Sequence, residues 1–461
     1  MMIICITIII SACNQDSNLG TVQGQNEDRG QNREVSASLP GGAGSTSTQP
    51  FPSFIKPVSN LPQSTKALFY AGQALAKQPW VKAPTVTHAR DGLGPLYNAR
   101  SCLGCHRNGG RGQVSGDETF TLKAAIIRIS LPGEDAHLGV VPEPIYGEQI
   151  QTRSIALSYQ FKQNNAPISN DPPPEAEVIL NWHMITDTYP DGDQIHLRFP
   201  KTEIRNLSYG NLHPKTLTSL RNAPPLLGVG LIELIPQRDI NALADPHDSD
   251  QNHISGRINQ VWDQDTNQTV PGRFGLKANR PANLRTVTAA AFIGDIGISN
   301  PLFPKQPCTA LQDKCNKTVN GNDEEGVELP QTLVDLVADY SRNLGVPKRR
   351  RYQPKKLEKG KTIFNAIGCQ SCHHSDYTTS KSAHLPHLSQ QHIWPYSDFL
   401  LHDMGPDLAD GRSDFQATGS EWRTAPLWGV GLSEKVNGAG NFLHDGRARN
   451  IEEAIWWHGG E

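Results

Sequence analysis

Outside its first ten residues, the 461-residue sequence has no long apolar run, and it has no large excess of charge of either sign. A helix that crosses a bilayer needs about 20 apolar residues, so the run from Met1 to Ile10 is too short to be one. Mean hydropathy is −0.48, and 43 basic residues stand against 46 acidic ones. These values predict a soluble chain of two or three domains and argue against nucleic acid as a partner.

The N-terminal apolar run also lacks the Lys or Arg with which an export signal normally begins. Its end, Ile10-Ser11-Ala12-Cys13, nevertheless resembles a bacterial lipobox, in which the cysteine is lipidated. We therefore predict an export signal over residues 1–13 with lipidation at Cys13. The alternative is a buried strand, which the polar residues that follow at once disfavour. The expected product is a periplasmic or outer-membrane-attached lipoprotein that contacts the membrane only through its lipid anchor.

Large apolar residues are almost missing from residues 14–50, which are rich in Gly, Ser, Gln, Asn and Thr. This composition predicts a flexible tether. Helices are expected over 64–76 and 355–367, and the basic segment 348–351 is interpreted as a solvated connector. The predicted domains are an N-terminal unit over 51–345 with a large loop-rich insertion, and a C-terminal unit over 346–461.

An internal repeat supports two units of similar design. Residues 221–231 read RNAPPLLGVGL, and residues 423–432 read RTAPLWGVGL, one residue shorter. Each copy follows one Cys-x-x-Cys-His segment along the chain. Such self-similarity is typical of a chain that uses one structural unit twice.

The sequence has only eight cysteines, and four of them belong to two Cys-x-x-Cys-His segments. In such a segment the thiols add to the vinyl groups of one haem, and the adjacent histidine binds the iron. Structural zinc would need four thiolates together and would leave the histidines unused, and a redox dithiol would need a βαβ context. We therefore predict two covalently bound c-type haems, attached through Cys102, Cys105, Cys369 and Cys372, with His106 and His373 as proximal iron ligands.

Methionine is scarce: there are four, and Met1 and Met2 belong to the predicted signal. A methionine opposite the histidine gives a closed electron-transfer haem, whereas an open position allows peroxide to bind. Met404 follows the second haem segment and is predicted to be the sixth ligand of that haem; the alternative is core filler. Met184 is the only other candidate and lies far upstream of the first repeat copy. The first haem is therefore predicted to be the reactive one.

Peroxide cleavage also needs an acid–base group above the open iron. Glu233 lies in an apolar run and is the candidate, because a carboxylate there is expected to be buried and to need a partner. The alternative is a salt bridge to an arginine such as Arg221 or Arg238.

Two further patterns have local interpretations. Cys308 and Cys315 are close in sequence and are expected to form a disulfide in an oxidising compartment, with metal binding by two thiols as the alternative. Asp248, Asp250 and Asn252 alternate as in the start of a calcium loop. However, His253 stands where such a loop has glycine, so an ordinary acidic turn is the alternative.

Several stretches resemble bacterial di-haem oxidoreductases, sometimes called thiol oxidoreductases, within the wider di-haem cytochrome c peroxidase and MauG-type group. The resemblance covers nearly everything from about residue 65 onward, and the family segment that residues 451–460 resemble continues into another helix, so we expect the chain to stop short of its natural end. The stretches that carry the resemblance are residues 92–99, 228–236, 245–257, 272–278, 308–315, 402–410 and 442–448.

This resemblance implies a mainly α fold, with two cytochrome c-like haem domains whose haems face each other. It also implies that the C-terminal haem accepts electrons and that the N-terminal haem handles peroxide. The sequence therefore predicts an enzyme that reduces hydrogen peroxide with electrons from a small cytochrome c or copper protein. Two alternatives stay open: MauG-like oxidation of a partner protein or organic substrate, and a non-catalytic electron carrier.

Overall fold

The computed structural model describes residues 37–47, 52–86, 90–114, 120–121, 124–156, 171–350 and 354–461. The predicted export signal, with Cys13, and the first part of the predicted tether lie outside these residues. About a quarter of the fold is helical and about a fifth is strand, in several small sheets. The expectation of a mainly α fold is therefore wrong.

The helices are short, with at most thirteen residues each within the described part of the chain. A π-helical segment, Phe292–Ile296, directly follows one of them. Within the described residues the α-helices are α1 (Lys66–Lys77), α2 (Cys102–Cys105), α3 (Val229–Glu233), α4 (Gln237–Asn241), α5 (Leu284–Ala291), α6 (Asp313–Asn316), α7 (Gln331–Arg342), α8 (Pro354–Ala366), α9 (Ser433–Asn437) and α10 (Ile451–Trp456).

The strands form small antiparallel sheets. Two sheets have three strands, in the orders β2-β5-β6 and β10-β9-β8, and the pairs β1-β4, β3-β7, β11-β12 and β13-β14 form the rest. The strands are β1 (Leu96–Tyr97), β2 (Phe120–Thr121), β3 (Ala125–Ser130), β4 (Arg153–Ser154), β5 (Glu177–Thr188), β6 (Gln194–Arg205), β7 (Leu217–Asn222), β8 (Gln260–Asp263), β9 (Gln268–Phe274), β10 (Arg280–Pro281), β11 (Tyr377–Thr378), β12 (His392–Ile393), β13 (Leu401–Asp403) and β14 (Glu421–Arg423).

The long hairpin β5–β6 best explains why the helical expectation failed. Each of its strands has twelve residues, with alternating and β-branched side chains that favour extended backbone. The connection Tyr189-Pro190-Asp191-Gly192 is a typical turn sequence, and Gly192 has φ of +96°, which suits glycine. This segment therefore forms strands rather than the irregular insertion that was predicted.

Helices α1 and α7 pack closely in the first unit. Gly72 of α1 allows this approach, because a Cβ atom there would lie 2.8 Å from Cβ of Tyr340 on α7. Both flank α2, which carries Cys102 and Cys105. The predicted helices over 64–76 and 355–367 are confirmed, as α1 and α8.

The two repeat copies pack against each other in a reciprocal way. Gly228 and Gly429 occupy equivalent repeat positions, and both have positive φ, +68° and +72°. A Cβ atom at Gly228 would lie 2.5 Å from Cζ2 of Trp428, and one at Gly429 would lie 2.7 Å from Cδ1 of Leu227. Because Leu227 and Trp428 are also equivalent repeat positions, the copies meet with local two-fold pseudosymmetry.

The largest hydrophobic core takes side chains from both predicted units. Leu227 and Leu231 from before residue 345 belong to the same cluster as Phe399 and Trp428 from after it. Residues of the predicted tether also pack on this body: Ser45 and Thr46 are buried, and Thr46 N donates to Val346 O at 2.8 Å. Among the described residues, no helix has both the length and the apolar character that a bilayer crossing requires.

Candidate active site

The first Cys-x-x-Cys-His segment borders a partly open cavity of about 340 Å³. Cys102 and Cys105 lie on the single turn of α2, and His106 follows at its C-terminal end. All three side chains line the cavity, together with residues of both repeat copies. Much of the remaining lining is apolar, such as Leu226, Leu227, Ile232, Phe274, Ala290, Ile296, Val337 and Trp428.

A hydrogen bond to the backbone fixes the orientation of His106. Its Nδ1 lies 2.6 Å from the carbonyl oxygen of Pro224 in the first repeat copy. A carbonyl only accepts, so Nδ1 must carry the proton, and in the neutral ring Nε2 then keeps its lone pair. This arrangement is common for histidines that bind a metal through Nε2.

The thiols of the first segment lie in a low-dielectric environment. Burial raises the pKa of Cys102 and of Cys105 to about 12, and Asp295 contributes in the same direction. Burial also lowers the pKa of His106, which keeps its ring neutral. The free protein therefore presents two protonated thiols and a neutral imidazole, rather than the thiolates of a zinc site.

The second segment repeats this arrangement close to the surface. His373 Nδ1 lies 2.9 Å from the carbonyl oxygen of Tyr396, so its Nε2 is likewise free of a proton. Neither cysteine pair is joined by a disulfide. Next to Cys369, the apolar side chains Ile363 and Ile367 are 47% and 66% exposed, which leaves apolar surface uncovered beside the motif.

The two centres fit haem. A haem needs two thiols, a histidine with a free Nε2 and an apolar surface for its macrocycle. The first centre offers these in a partly open cavity, and the second offers them with exposed apolar side chains beside it. Cys102, Cys105 and His106 would hold one haem, and Cys369, Cys372 and His373 the other.

A buried polar cluster adjoins the second centre. His402 Nε2 lies 2.8 Å from Oδ2 of Asp398, and its Nδ1 lies 3.6 Å from Sγ of Cys372. Although burial lowers it, the hydrogen bond to Asp398 raises the pKa of His402 to about 10. His402 belongs to β13, which pairs with β14, and the last residue of β14, Arg423, begins the second repeat copy. The contact of His402 with Cys372 and the pairing of β13 with β14 therefore connect the second centre to Arg423, which lines the first cavity.

The structure places Met404 at the end of β13, two residues after His402. Its side chain is partly buried against a hydrophobic cluster that includes Leu408, Trp422 and Trp457. Met404 therefore lies two residues along the chain from His402, which contacts Cys372. Met184, in contrast, is 53% exposed on the β5–β6 hairpin.

Glu233 forms the salt bridge that was its alternative interpretation, although with a different arginine. Arg342 donates from Nε to Oε2 of Glu233 at 2.8 Å, and the amide of Leu284 donates to Oε1 at 2.7 Å. Glu233 does not line the cavity, whereas its neighbour Ile232 does. The carboxylates that do line it are Asp295 and Asp414.

The remaining predicted sites lie away from both centres. Cys308 and Cys315 form a disulfide with a Cα–Cα distance of 5.8 Å. The oxygens of the predicted calcium loop accept hydrogen bonds from nearby amides: Asp248 from His253, Asp250 from Asn252, and Asn252 from Ile254. The calcium site stays a prediction.

Sequence reasoning missed the groups that orient and surround the centres. Backbone carbonyls such as those of Pro224 and Tyr396 have no side-chain signature. The arginine that opens each repeat copy was visible, but nothing in the sequence indicated that Arg221 and Arg423 would line one cavity.

Two centres of this kind, each with two free cysteines and an oriented histidine, define a protein built to carry two haems. A family model described as "Di-haem oxidoreductase, putative peroxidase" matches residues 35–461. The chain therefore belongs to the di-haem oxidoreductase family, which implies haem cofactors and confirms the resemblance seen in the sequence. Searches of curated proteins and of solved structures found no match.

Proposed function

We propose that the protein is a c-type di-haem peroxidase, which reduces hydrogen peroxide with electrons from a small cytochrome c or copper protein. The observation that carries this proposal is the shared orientation of His106 and His373, each held by a backbone carbonyl beside a free cysteine pair. When bound, haem supplies an iron that exchanges single electrons and can bind a small ligand at an open position.

The different surroundings of the two centres support different roles. Cys102 and Cys105 face a partly open, largely apolar cavity, which can hold a small substrate. Around the second segment, Gln370 and Ser371 are exposed, so a donor protein can approach the C-terminal centre closely. We therefore assign electron uptake to the C-terminal haem and peroxide reduction to the N-terminal one.

Asp295 is the residue that we assign to proton transfer in the cavity. Asp414 is held by Arg221 and Arg412 at 2.9 and 2.7 Å, so its carboxylate is fixed in salt bridges. Asp295 accepts a hydrogen bond from Gln149 at 3.0 Å and lies in the π-helical segment, a feature that recurs at functional sites. Its carboxylate can take a proton from one peroxide oxygen and return it to the other.

The proposal also includes export and lipidation at Cys13. The disulfide between Cys308 and Cys315 supports an oxidising compartment, since such bonds are rare in reducing ones.

Two measurements on the haem-loaded protein test the assigned function. Spectra of the reduced protein with and without carbon monoxide should show that only the N-terminal haem binds this ligand. The variant C102A/C105A, which lacks the attachment site of that haem, should show no such binding. Peroxide added with a reduced cytochrome should oxidise that donor, and D295N should lower the turnover about a hundredfold, the lower end of acid–base effects. If neither haem binds carbon monoxide, the peroxidase assignment fails and the protein is an electron carrier. Peroxide loss without donor oxidation would instead favour a MauG-like activity.

A further inference from the structure

In the described part of the chain, five arginines line the first cavity, although its other lining is largely apolar. Two of them have carboxylate partners: Arg221 lies 2.9 Å from both Asp410 and Asp414, and Arg128 lies 3.9 Å from Glu148. The other three are Arg111, Arg280 and Arg423.

The internal repeat makes the contrast clear. Arg221 and Arg423 are the first residues of the two repeat copies, and both line the cavity. Arg221 is neutralised by two aspartates, whereas the hydrogen bonds of Arg423 within the described residues go only to the backbone carbonyls of Gly275 and Thr424, at 2.9 and 3.1 Å. The two repeat positions therefore carry different electrostatic roles.

Arg111 and Arg280 also lack a carboxylate partner among the described residues. Nε of Arg111 is buried and has no hydrogen-bond partner there, and its guanidinium lies 5.4 Å from the ring centre of Phe442. The backbone of Arg280 pairs with Phe274 in the sheet, but its guanidinium makes neither a hydrogen bond nor a salt bridge within the described part of the chain. Burial lowers the pKa of Arg111 and of Arg423 to about 10, and repulsion from Arg111 adds to the effect at Arg423.

Guanidinium groups that are withdrawn from water without an anion are costly, and native proteins seldom keep them. Asp295 and Asp414 also line the cavity, but within the described residues neither forms a salt bridge with Arg111, Arg280 or Arg423, so these three cations favour further negative charge from a ligand. A haem brings two propionate carboxylates on one edge, and arginine is suited to bind carboxylates with two parallel hydrogen bonds. Arg111, Arg280 and Arg423 supply three such cations in the cavity that Cys102, Cys105 and His106 border.

We propose that Arg111, Arg280 and Arg423 bind the two propionates of the haem attached at Cys102 and Cys105. This inference rests on the haem attachment in the proposed function. Cations at the propionates stabilise the reduced iron, which carries one positive charge fewer. The three arginines therefore position the first haem and raise its potential relative to a site without them.

The test uses the haem-loaded protein and the variants R111Q, R280Q and R423Q. Denaturing mass spectrometry first establishes that each variant carries two haems per chain, which separates this inference from the attachment itself. Redox titration should then show a lower midpoint potential for the first haem in each variant, with the second haem unchanged. The propionate-bending bands in the resonance Raman spectrum should shift, and R423K should keep part of the potential that R423Q loses.

The matched control is R238Q, because Arg238 is 87% exposed and pairs only with Asp239. It should leave both potentials and the Raman bands unchanged. The proposal is overturned if all three cavity variants carry two haems and keep the wild-type potential and propionate bands. It is also overturned if the variants change only the inhibition of peroxide turnover by small anions such as azide, since the arginines would then serve an anionic substrate.

Discussion

At the scale of single residues, the carbonyl groups that hold His106 and His373 connect the sequence motif to its chemistry. The motif identifies two thiols and an imidazole, but the hydrogen bonds from Nδ1 decide which ring nitrogen can bind iron. The sequence could predict the ligands because their spacing follows from the haem. It could not predict the carbonyls of Pro224 and Tyr396, because any residue can supply one.

The predicted ligand Met404 can be tested by replacing it with leucine, which keeps the size and apolar character of the side chain. A methionine ligand raises the potential of a haem, so M404L should lower the potential of the second haem and change only that haem's spectrum. The matched control is M184L, because Met184 is 53% exposed on the hairpin. An M404L spectrum identical to that of the wild type would show that Met404 is not a ligand.

The two interpretations of Glu233 give opposite results for E233Q. In the structure its carboxylate pairs with Arg342, and both side chains are nearly buried, at 11% and 12% exposure. Removing one charge of such a pair costs about 3 kcal/mol of stability, and the double variant E233L/R342L should recover part of it. Urea unfolding measures this loss, and peroxide turnover below the melting range should stay close to wild type. Lost turnover at unchanged stability would instead assign the acid–base role to Glu233.

At the scale of elements, two helices beside the haem motifs were predictable, and the fold of the insertion was not. α1 and α8 follow from amphipathic patterns next to the haem motifs, and their bounds lie within two residues of expectation. The β5–β6 segment contains a Pro-Asp-Gly turn and β-branched residues, which favour a hairpin. The resemblance to di-haem oxidoreductases instead implied a mainly α fold. The hairpin reaches the second unit, where Ile195 and Leu197 join a cluster with Trp422 and Trp457.

This contact predicts that the hairpin stabilises the C-terminal unit. Leu197 is 2% exposed, so L197A should cost about 3 kcal/mol through lost burial and a cavity. The control is M184A on the same hairpin, because the side chain of Met184 is 53% exposed. This substitution should change the free energy of unfolding by less than about 0.5 kcal/mol. Limited proteolysis should show faster cleavage after residue 400 in L197A only. Equal stability losses in both variants would contradict a role for the packed face.

At the scale of the whole molecule, the internal repeat was visible in the sequence, but its consequence was not. Sequence similarity indicated two units of similar design, whereas the structure shows the copies in contact with each other and both lining one cavity. Such contacts between distant segments depend on how the chain returns on itself. The largest hydrophobic core likewise contains residues from both predicted units, although these residues are far apart in the sequence.

The contact between the copies predicts a large effect of one methyl group. G429A places a Cβ atom at positive φ and 2.7 Å from Leu227, so strain and overpacking together should cost about 3 kcal/mol. Gly360, on the exposed helix α8, has nothing within 4 Å of a Cβ position. G360A should therefore be neutral or slightly stabilising, because alanine favours helix. Thermal unfolding of both variants checks this, and an unaffected G429A would refute the packing between the copies.

The central claim is that this chain binds two haems covalently through its two cysteine pairs. Denaturing mass spectrometry of the protein, produced in a host that matures c-type cytochromes, tests it most directly. The account predicts a mass equal to the chain plus two haems, and one haem each for C102A/C105A and C369A/C372A. A chain that loses haem on denaturation, or that keeps two haems when either cysteine pair is removed, would contradict it.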